Sequence, residues 1–327
     1  MYKRFYNLQR NPFDITPDPS FLFATKKHNE ALAALYYGVK RRKGFVVLTG
    51  EVGTGKTMIV RCLLQVLHTN KVAFAWVFNP RLSPMEFLQY VVGDFRLPTA
   101  GKSKSDLLLD LSSYAIARHQ KGLTTVLVVD EAHHLSTDVL EEVRLLTNLE
   151  TGQEKLLQIL LVGQQELDEK LDSTDLRQLK QRVALRSHLS SLDLDETSGY
   201  VYRRLQIAGC TNPSELFPME TIVELHRQSR GYPRLVNTLC ENALIHGYAR
   251  QSRSISPRVI EEIAADFRLN VVNPPAAERA KLPDPSRDVA QAARILLDWC
   301  AQLDPQGAAA DLRMTVDAGA GNDEPYI

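Results

Sequence analysis

The chain has 327 residues, 44% of them hydrophobic and 24% charged, the balance of an ordinary globular protein with room for two domains or for one large domain with a lid. Lys plus Arg and Asp plus Glu both number 39, so no overall basic excess announces a nucleic-acid partner, and a local basic patch is the only form such a signal takes here. Cys62, Cys210, Cys240 and Cys300 lie far apart without metal-ligand spacing, Met1 to Tyr6 has no apolar signal core, and no run approaches the roughly 20 apolar residues that span a bilayer, so reduced thiols and a cytoplasmic location are expected.

Strand and helix patterns alternate from residue 44 to 190, as a parallel sheet with crossover helices requires. The first apolar run, Phe45 to Leu48, leads into Gly50-Glu51-Val52-Gly53-Thr54-Gly55-Lys56-Thr57, and Met58 to Leu67 follow with helical composition. A complete phosphate-binding loop in a strand–loop–helix setting is a strong signal. The glycines let successive N–H groups turn inward above a helix N-terminus, Lys56 is placed for the β- and γ-phosphates, and the Thr57 hydroxyl for Mg²⁺. A nucleoside triphosphate ligand follows from it.

Further strands are expected at Val72 to Phe78, Thr125 to Val129, Leu156 to Val162 and Val183 to Leu189, with a helix at Asp138 to Leu149. The third strand delivers Asp130 and Glu131 to its carboxyl end, where α/β sheets hold ligands. Asp130 is expected to hold Mg²⁺ and Glu131 to act as general base on the attacking water; an acidic helix cap is the other reading of the pair, weakened by the phosphate loop upstream. His133 and His134 complete an Asp-Glu-Ala-His string, but no other helicase element accompanies it, and they are read as helix-start residues. Gln164 ends the fourth strand, either as a sensor of the γ-phosphate and its water or as a polar strand end. Arg177, Lys180, Arg182 and Arg186 form a basic cluster before the fifth strand. There Arg182 is the candidate for a guanidinium offered to a neighbouring subunit's phosphate, against a basic face in solvent.

From Asp195 the texture is helical only: Ser198 to Ala208, Met219 to Ser229, Arg234 to Ala249 and Pro257 to Phe267. Gly231-Tyr232-Pro233-Arg234 opens one of these helices, and a cation in a helix's first turn points to an anionic partner for Arg234. Beyond Asn270, Pro-rich linker and a Gly, Ala and Asp-rich tail are expected, interrupted by one amphipathic helix carrying Leu296 and Trp299. The expected organisation is a nucleotide-binding αβα domain at 1–190, a helical lid at 191–270, and a mostly disordered tail at 271–327.

Phe5-Tyr6, Asn11-Pro12-Phe13, Thr16-Pro17-Asp18-Pro19, Phe21-Leu22-Phe23, His28, Glu30-Ala31-Leu32 and Tyr37-Gly38 stand ahead of the phosphate loop. With Leu161 to Gln164 and Gly231 to Asn237, the combination resembles the ExeA-like AAA+ ATPases over residues 1 to about 268. The resemblance implies a P-loop NTPase sheet sandwiched by helices with a helical lid, and ATP with Mg²⁺ as ligands. It implies Gln164 as first sensor, Arg234 as second sensor, and Phe13 and Pro17 near the adenine. Secretion members of the family continue into a transmembrane helix and a cell-wall-binding domain; this chain is expected to end in a soluble tail instead. Transposition ATPases of the TniB and TnsC type look like more distant relatives.

Two functional classes follow. One is a cytoplasmic ATPase that drives or assembles an envelope secretion or export system through protein partners, as a homo-oligomer. The other is a DNA-binding ATPase of the transposition type, for which Lys40-Arg41-Arg42-Lys43 and the Lys102/Lys104 loop are the only local basic features. The balanced charge favours the first, and an intact Glu131 argues against a non-hydrolysing switch.

Overall fold

The computed structural model describes residues 1–68, 72–78 and 81–269; the amphipathic helix and tail expected beyond them lie outside the described residues. At the centre is a five-stranded, all-parallel sheet of β1 (Phe45–Gly50), β2 (Ala73–Val77), β3 (Thr125–Val129), β4 (Leu157–Gly163) and β5 (Leu185–Leu189), in the order β2-β3-β4-β1-β5. Side chains alternate between faces along each strand. Phe45, Val47, Leu127, Val129, Ile159 and Leu161 meet the helices Pro84–Asp94, Lys104–Gln120 and Thr137–Leu146 on one face. Val46, Leu48, Val126, Val128, Leu160 and Val162 meet Lys26–Lys40 and Lys56–His68 on the other. Helices on both faces explain why the strands read as unbroken apolar runs rather than alternating ones. The expected P-loop NTPase architecture is the observed one.

The fifth strand starts at Leu185, two residues later than its composition suggests, because Arg182 and Val183 still donate backbone N–H bonds to Leu179 and Lys180 in the preceding helical turn. The helix after β3 likewise stops at Leu146. Thr147 caps it, and the chain turns through a short antiparallel bridge between Glu150 and Lys155.

Helices Leu194–Ile207, Met219–Ser229, Pro233–Ala249 and Pro257–Asp266 pack around a second core that includes Val201, Leu205, Phe217, Leu225, Leu239 and Ile260. Tyr2, Tyr6, Leu8 and Phe13 belong to that same core, although they were expected to sit with the sheet domain. The cause is aromatic and polar complementarity that residue spacing does not reveal. Phe13, fully buried, stands edge-on to Phe217 at 6.0 Å, Tyr6 donates its hydroxyl hydrogen to the Ser252 carbonyl at 3.0 Å, and the Gln9 N–H reaches Ala208 O at 2.7 Å. Residues 14–25 then run from the helical part back to the sheet part, so the two share one strap of chain. Among the described residues no helix is long and apolar enough to cross a membrane.

Candidate functional site

Strand order builds the site. β4 lies between β1 and β3, with Thr49 in register with Gly163 and Val129 with Leu161, so the three carboxyl ends place the 50–57 loop, Gln164, and Asp130 with Glu131 side by side. The loop is internally braced by Thr54, whose hydroxyl donates to Glu51 O at 2.8 Å. Gly53 has φ +79°, a conformation that favours glycine, and a Cβ there would stand 2.8 Å from the Arg234 Cβ. The lid therefore touches the loop directly: the Arg234 N–H donates to Gly53 O at 3.2 Å. This is permitted by Gly231 (φ +72°), where any side chain would collide with the Leu192 carbonyl at 1.9 Å, and by Pro233 opening the helix.

Lys56, though buried, aims its ammonium back at the loop, donating to Gly50 O at 2.8 Å and Glu51 O at 2.9 Å. Burial lowers its pKa, while the Glu131 and Asp130 carboxylates pull it up again. Thr57 donates its hydroxyl hydrogen to Asp130 Oδ2 at 3.0 Å, and the Glu131 N–H donates to Asp130 Oδ1 at 3.0 Å. Burial pushes the Asp130 carboxyl above the usual carboxylate range, against the lowering effect of those two hydrogen bonds. A carboxylate and a hydroxyl meeting in a half-dry pocket make an oxygen donor pair that suits a hard cation such as Mg²⁺. Among the described residues no group of three or more His, Cys, Asp or Glu could hold a metal ion.

Glu131 has φ +53°, unusual for a residue with a Cβ, and its Oε2 is buried without a hydrogen bond. Gln164 brings its side-chain amide to 3.0 Å from the Nε2 of His133. His133 and His134 occupy a single 3-10 turn, Ala132–His134, rather than the start of a longer helix.

A cleft of ≈ 480 Å³ opens above the loop between the strap, the sheet edge and the lid. Pro17, Thr57, Glu131 and Arg234 line it, together with His28, Arg61 and Arg204. Phe13 does not: its side chain is enclosed in the helical core, whereas Asp14, Ile15, Thr16 and Pro17 line the cleft. Arg182 and Arg186 are also away from the cleft. The Arg182 guanidinium is taken up by Thr147 Oγ1 at 2.7 Å and Asn148 Oδ1 at 2.6 Å, and Arg186 pairs with Asp168 at 3.3 Å.

Two cleft residues were given no role from sequence, His28 being quoted only for the family resemblance. His28 links the first long helix to the loop, its Nε2 lying 3.2 Å from Thr54 O and its Nδ1 2.7 Å from Thr25 Oγ1. Arg204, 3% exposed, donates to Pro12 O at 2.5 Å, to the Tyr200 hydroxyl at 3.0 Å and to Asp14 O at 3.4 Å, with its guanidinium 4.7 Å from the Phe21 ring. Tyr200 in turn donates to Asn237 at 2.9 Å. The strap is thus pinned to the lid by a buried cation. The only sequence signal was an Arg four residues after a Tyr on one helix face.

An AAA domain family model matches residues 39–171. Over 256 residues, 78% of this chain, the sequence is 46% identical to general secretion pathway protein A of Aeromonas hydrophila, and the match spans 46% of that protein's length, so this chain covers about half of its relative. Among solved structures, the ORC2 protein of Aeropyrum pernix is similar with a TM-score of 0.60 at 16% identity, covering 79% of this chain and 72% of that one. Cdc6p of Pyrobaculum aerophilum gives 0.57 at 16% identity, covering 81% and 74%. At such identities the two structures speak to the fold alone.

Proposed function

Because the chain belongs to the ExeA-like AAA+ proteins related to general secretion pathway protein A, we propose that it is a Mg²⁺-dependent ATPase that drives or assembles an envelope secretion or export system through protein partners. The observation that carries the enzymatic part is the meeting of Lys56 and Thr57, after β1, with Asp130 and Glu131, after β3, across the end of the intervening β4, with Thr57 and Asp130 already 3.0 Å apart. The secretion assignment rests on the 46% identity, and on nothing in the cleft.

In this reading the N–H groups of the 50–57 loop and the helix it opens receive the phosphates, and Lys56 exchanges the Gly50 and Glu51 carbonyls for phosphate oxygens. Thr57 and Asp130 hold Mg²⁺, which neutralises phosphate charge when bound. Glu131 takes the proton of the attacking water, and Gln164 orients that water or senses the γ-phosphate. Arg234 contributes a cation from the lid, and Pro17 with its neighbours receives the base. Arg182 serves a neighbouring copy of the chain, which makes the working form a homo-oligomer. The proposed division is nucleotide-binding up to about residue 190 and a lid to about 270, with residues 2–13 assigned to the lid. The proposed location is the cytoplasm, at the membrane only through a partner.

The test is phosphate release from ATP by the full chain with Mg²⁺, with the metal chelated, and with Lys56→Ala. Metal-dependent release that Lys56→Ala abolishes is expected; release that ignores both would overturn the enzymatic reading. Tight duplex-DNA binding that weakens steeply with salt would shift the pathway to the transposition type.

A further inference from the structure

His133 stands between the two residues assigned to sensing and to catalysis. Its Nε2 lies 3.0 Å from the Gln164 side-chain amide nitrogen. Its Nδ1 faces two groups at once, the Gln164 backbone N–H at 3.4 Å and Glu131 Oε2 at 3.5 Å. The ring is held firmly: its side chain is 7% exposed, the His134 ring lies 4.0 Å away, and Lys170 fixes the turn beneath by donating to His133 O at 2.7 Å and Leu135 O at 2.8 Å. Gly163 brings β4 close enough that a Cβ there would stand 3.3 Å from the His133 backbone nitrogen. Burial holds the imidazole pKa below its ordinary range, which favours the neutral ring.

A neutral imidazole carries one N–H, so its two nitrogens take opposite roles. When the Gln164 side chain presents its NH₂ to Nε2, the ring proton sits on Nδ1 and faces Glu131 Oε2, and the Gln164 backbone N–H gives up Nδ1 as its acceptor. When Gln164 turns its carbonyl oxygen to the ring, the proton belongs on Nε2, Nδ1 accepts the Gln164 backbone N–H, and the ring has no proton to offer Glu131. The buried, unbonded Oε2 of Glu131 is the group whose surroundings change between these two states. We propose that His133 is a positioning residue that transmits the orientation of the Gln164 side chain to the Glu131 carboxylate. A γ-phosphate that draws Gln164 away from the ring then alters the hydrogen bonding of the base without touching it. This rests on the roles given above to Glu131 and Gln164.

The experiment is a double-mutant cycle on steady-state ATP hydrolysis by the full chain, with nucleotide affinity and the thermal unfolding midpoint measured for every variant. His133→Ala is expected to lower kcat roughly ten- to hundredfold, the loss typical of removing an orienting partner, with nucleotide affinity within about twofold of the parent. Combined with Gln164→Ala it should cost little beyond the more damaging single change. His133→Asn retains a polar atom near the Nδ1 position and His133→Gln one near Nε2; each keeps half of the bridge, and neither should restore kcat. These polar variants also carry the test if His133→Ala fails to fold. Multiplicative effects of the two changes, or full activity in His133→Asn or His133→Gln, would overturn the coupling. Glu131→Gln run in parallel separates the two levels: if it stays active the base assignment fails, whereas if it is inactive while His133→Ala is normal only the coupling fails.

Discussion

Thr57 and Asp130 are 73 residues apart in sequence and joined by one hydrogen bond of 3.0 Å. That bond rests on a buried carboxylate whose pKa is raised by burial, so the folded protein holds the Asp130 proton to higher pH than the unfolded chain does. Raising the pH through that interval therefore ionises the group at a cost to stability. Asp130→Asn is expected to raise the unfolding midpoint of the nucleotide-free protein at neutral pH while removing Mg²⁺-dependent ATP binding. The stability difference should shrink as the pH falls and Asp130 becomes neutral in the parent too. Thermal melts across pH check this, and an unchanged or lowered midpoint at neutral pH would count against it.

Hydrolysis is expected to depend on Glu131 far more than binding does. Glu131→Gln keeps the shape and spares the phosphate cradle, so ATP affinity should hold while turnover drops roughly 10²–10⁴-fold. Equilibrium binding beside phosphate release separates the two effects.

Lys56 spends its ammonium on Gly50 O and Glu51 O, both of them loop carbonyls. Replacing those partners by phosphate oxygens gains charge-assisted bonds, each about 1.5–3 kcal/mol. Lys56→Ala is expected to weaken ATP binding roughly ten- to hundredfold, since 1.4 kcal/mol corresponds to about a factor of ten. Titration with a fluorescent nucleotide gives the ratio directly.

Arg204 should matter to the fold and to the ligand together. Arg204→Met strands the Pro12 carbonyl and the Tyr200 hydroxyl, and a loss of about 2–3 kcal/mol in unfolding free energy is expected, with weaker nucleotide binding because the strap loses its pin. Arg204→Lys should recover little, since a single ammonium cannot serve partners spread along a planar fork. Denaturant midpoints and ATP affinity of both variants decide it. A variant as stable as the parent would contradict the role.

Arg182 must exchange Thr147 and Asn148 for a phosphate on another copy if it acts across an interface. Arg182→Ala is expected to bind ATP near normally and hydrolyse it poorly, and mixing it with Lys56→Ala subunits should restore part of the activity. Mixtures that never exceed the sum of their components, with Arg186→Ala behaving as expected for Arg182, would transfer the role to Arg186. Full-rate hydrolysis at every dilution would remove the trans-acting model.

The parts of the site that act through local chain geometry were legible in the sequence. The loop from Gly50 to Thr57 and the Asp130–Glu131 pair announce themselves because each needs only its own strand and the turn that follows. The order of strands was not legible, since nothing local tells β4 to insert between β1 and β3, and that insertion is what brings Gln164 to the loop. Phe13 was placed near the base by the family resemblance alone; its packing partner, Phe217, lies 204 positions later, a separation at which composition carries no information. His133 looked like a helix start for the same reason: its meaning resides in Gln164 and Lys170, on chain that follows a different strand.

The helical core shares its interior with residues 2–13, and this sets an order of events during synthesis. Chains emerge at about 5–20 residues per second. Tyr2, Tyr6 and Phe13 therefore leave the ribosome many seconds before Phe217 and Ile260, which enclose them, with the entire sheet domain made in between. During that interval those aromatic side chains have no Phe217 or Ile260 to pack against. A nascent chain halted after β5 would thus carry the 50–57 loop and the strap but neither Arg204, which pins the strap, nor Arg234, so on the proposed reading competence for the whole nucleotide should arrive late.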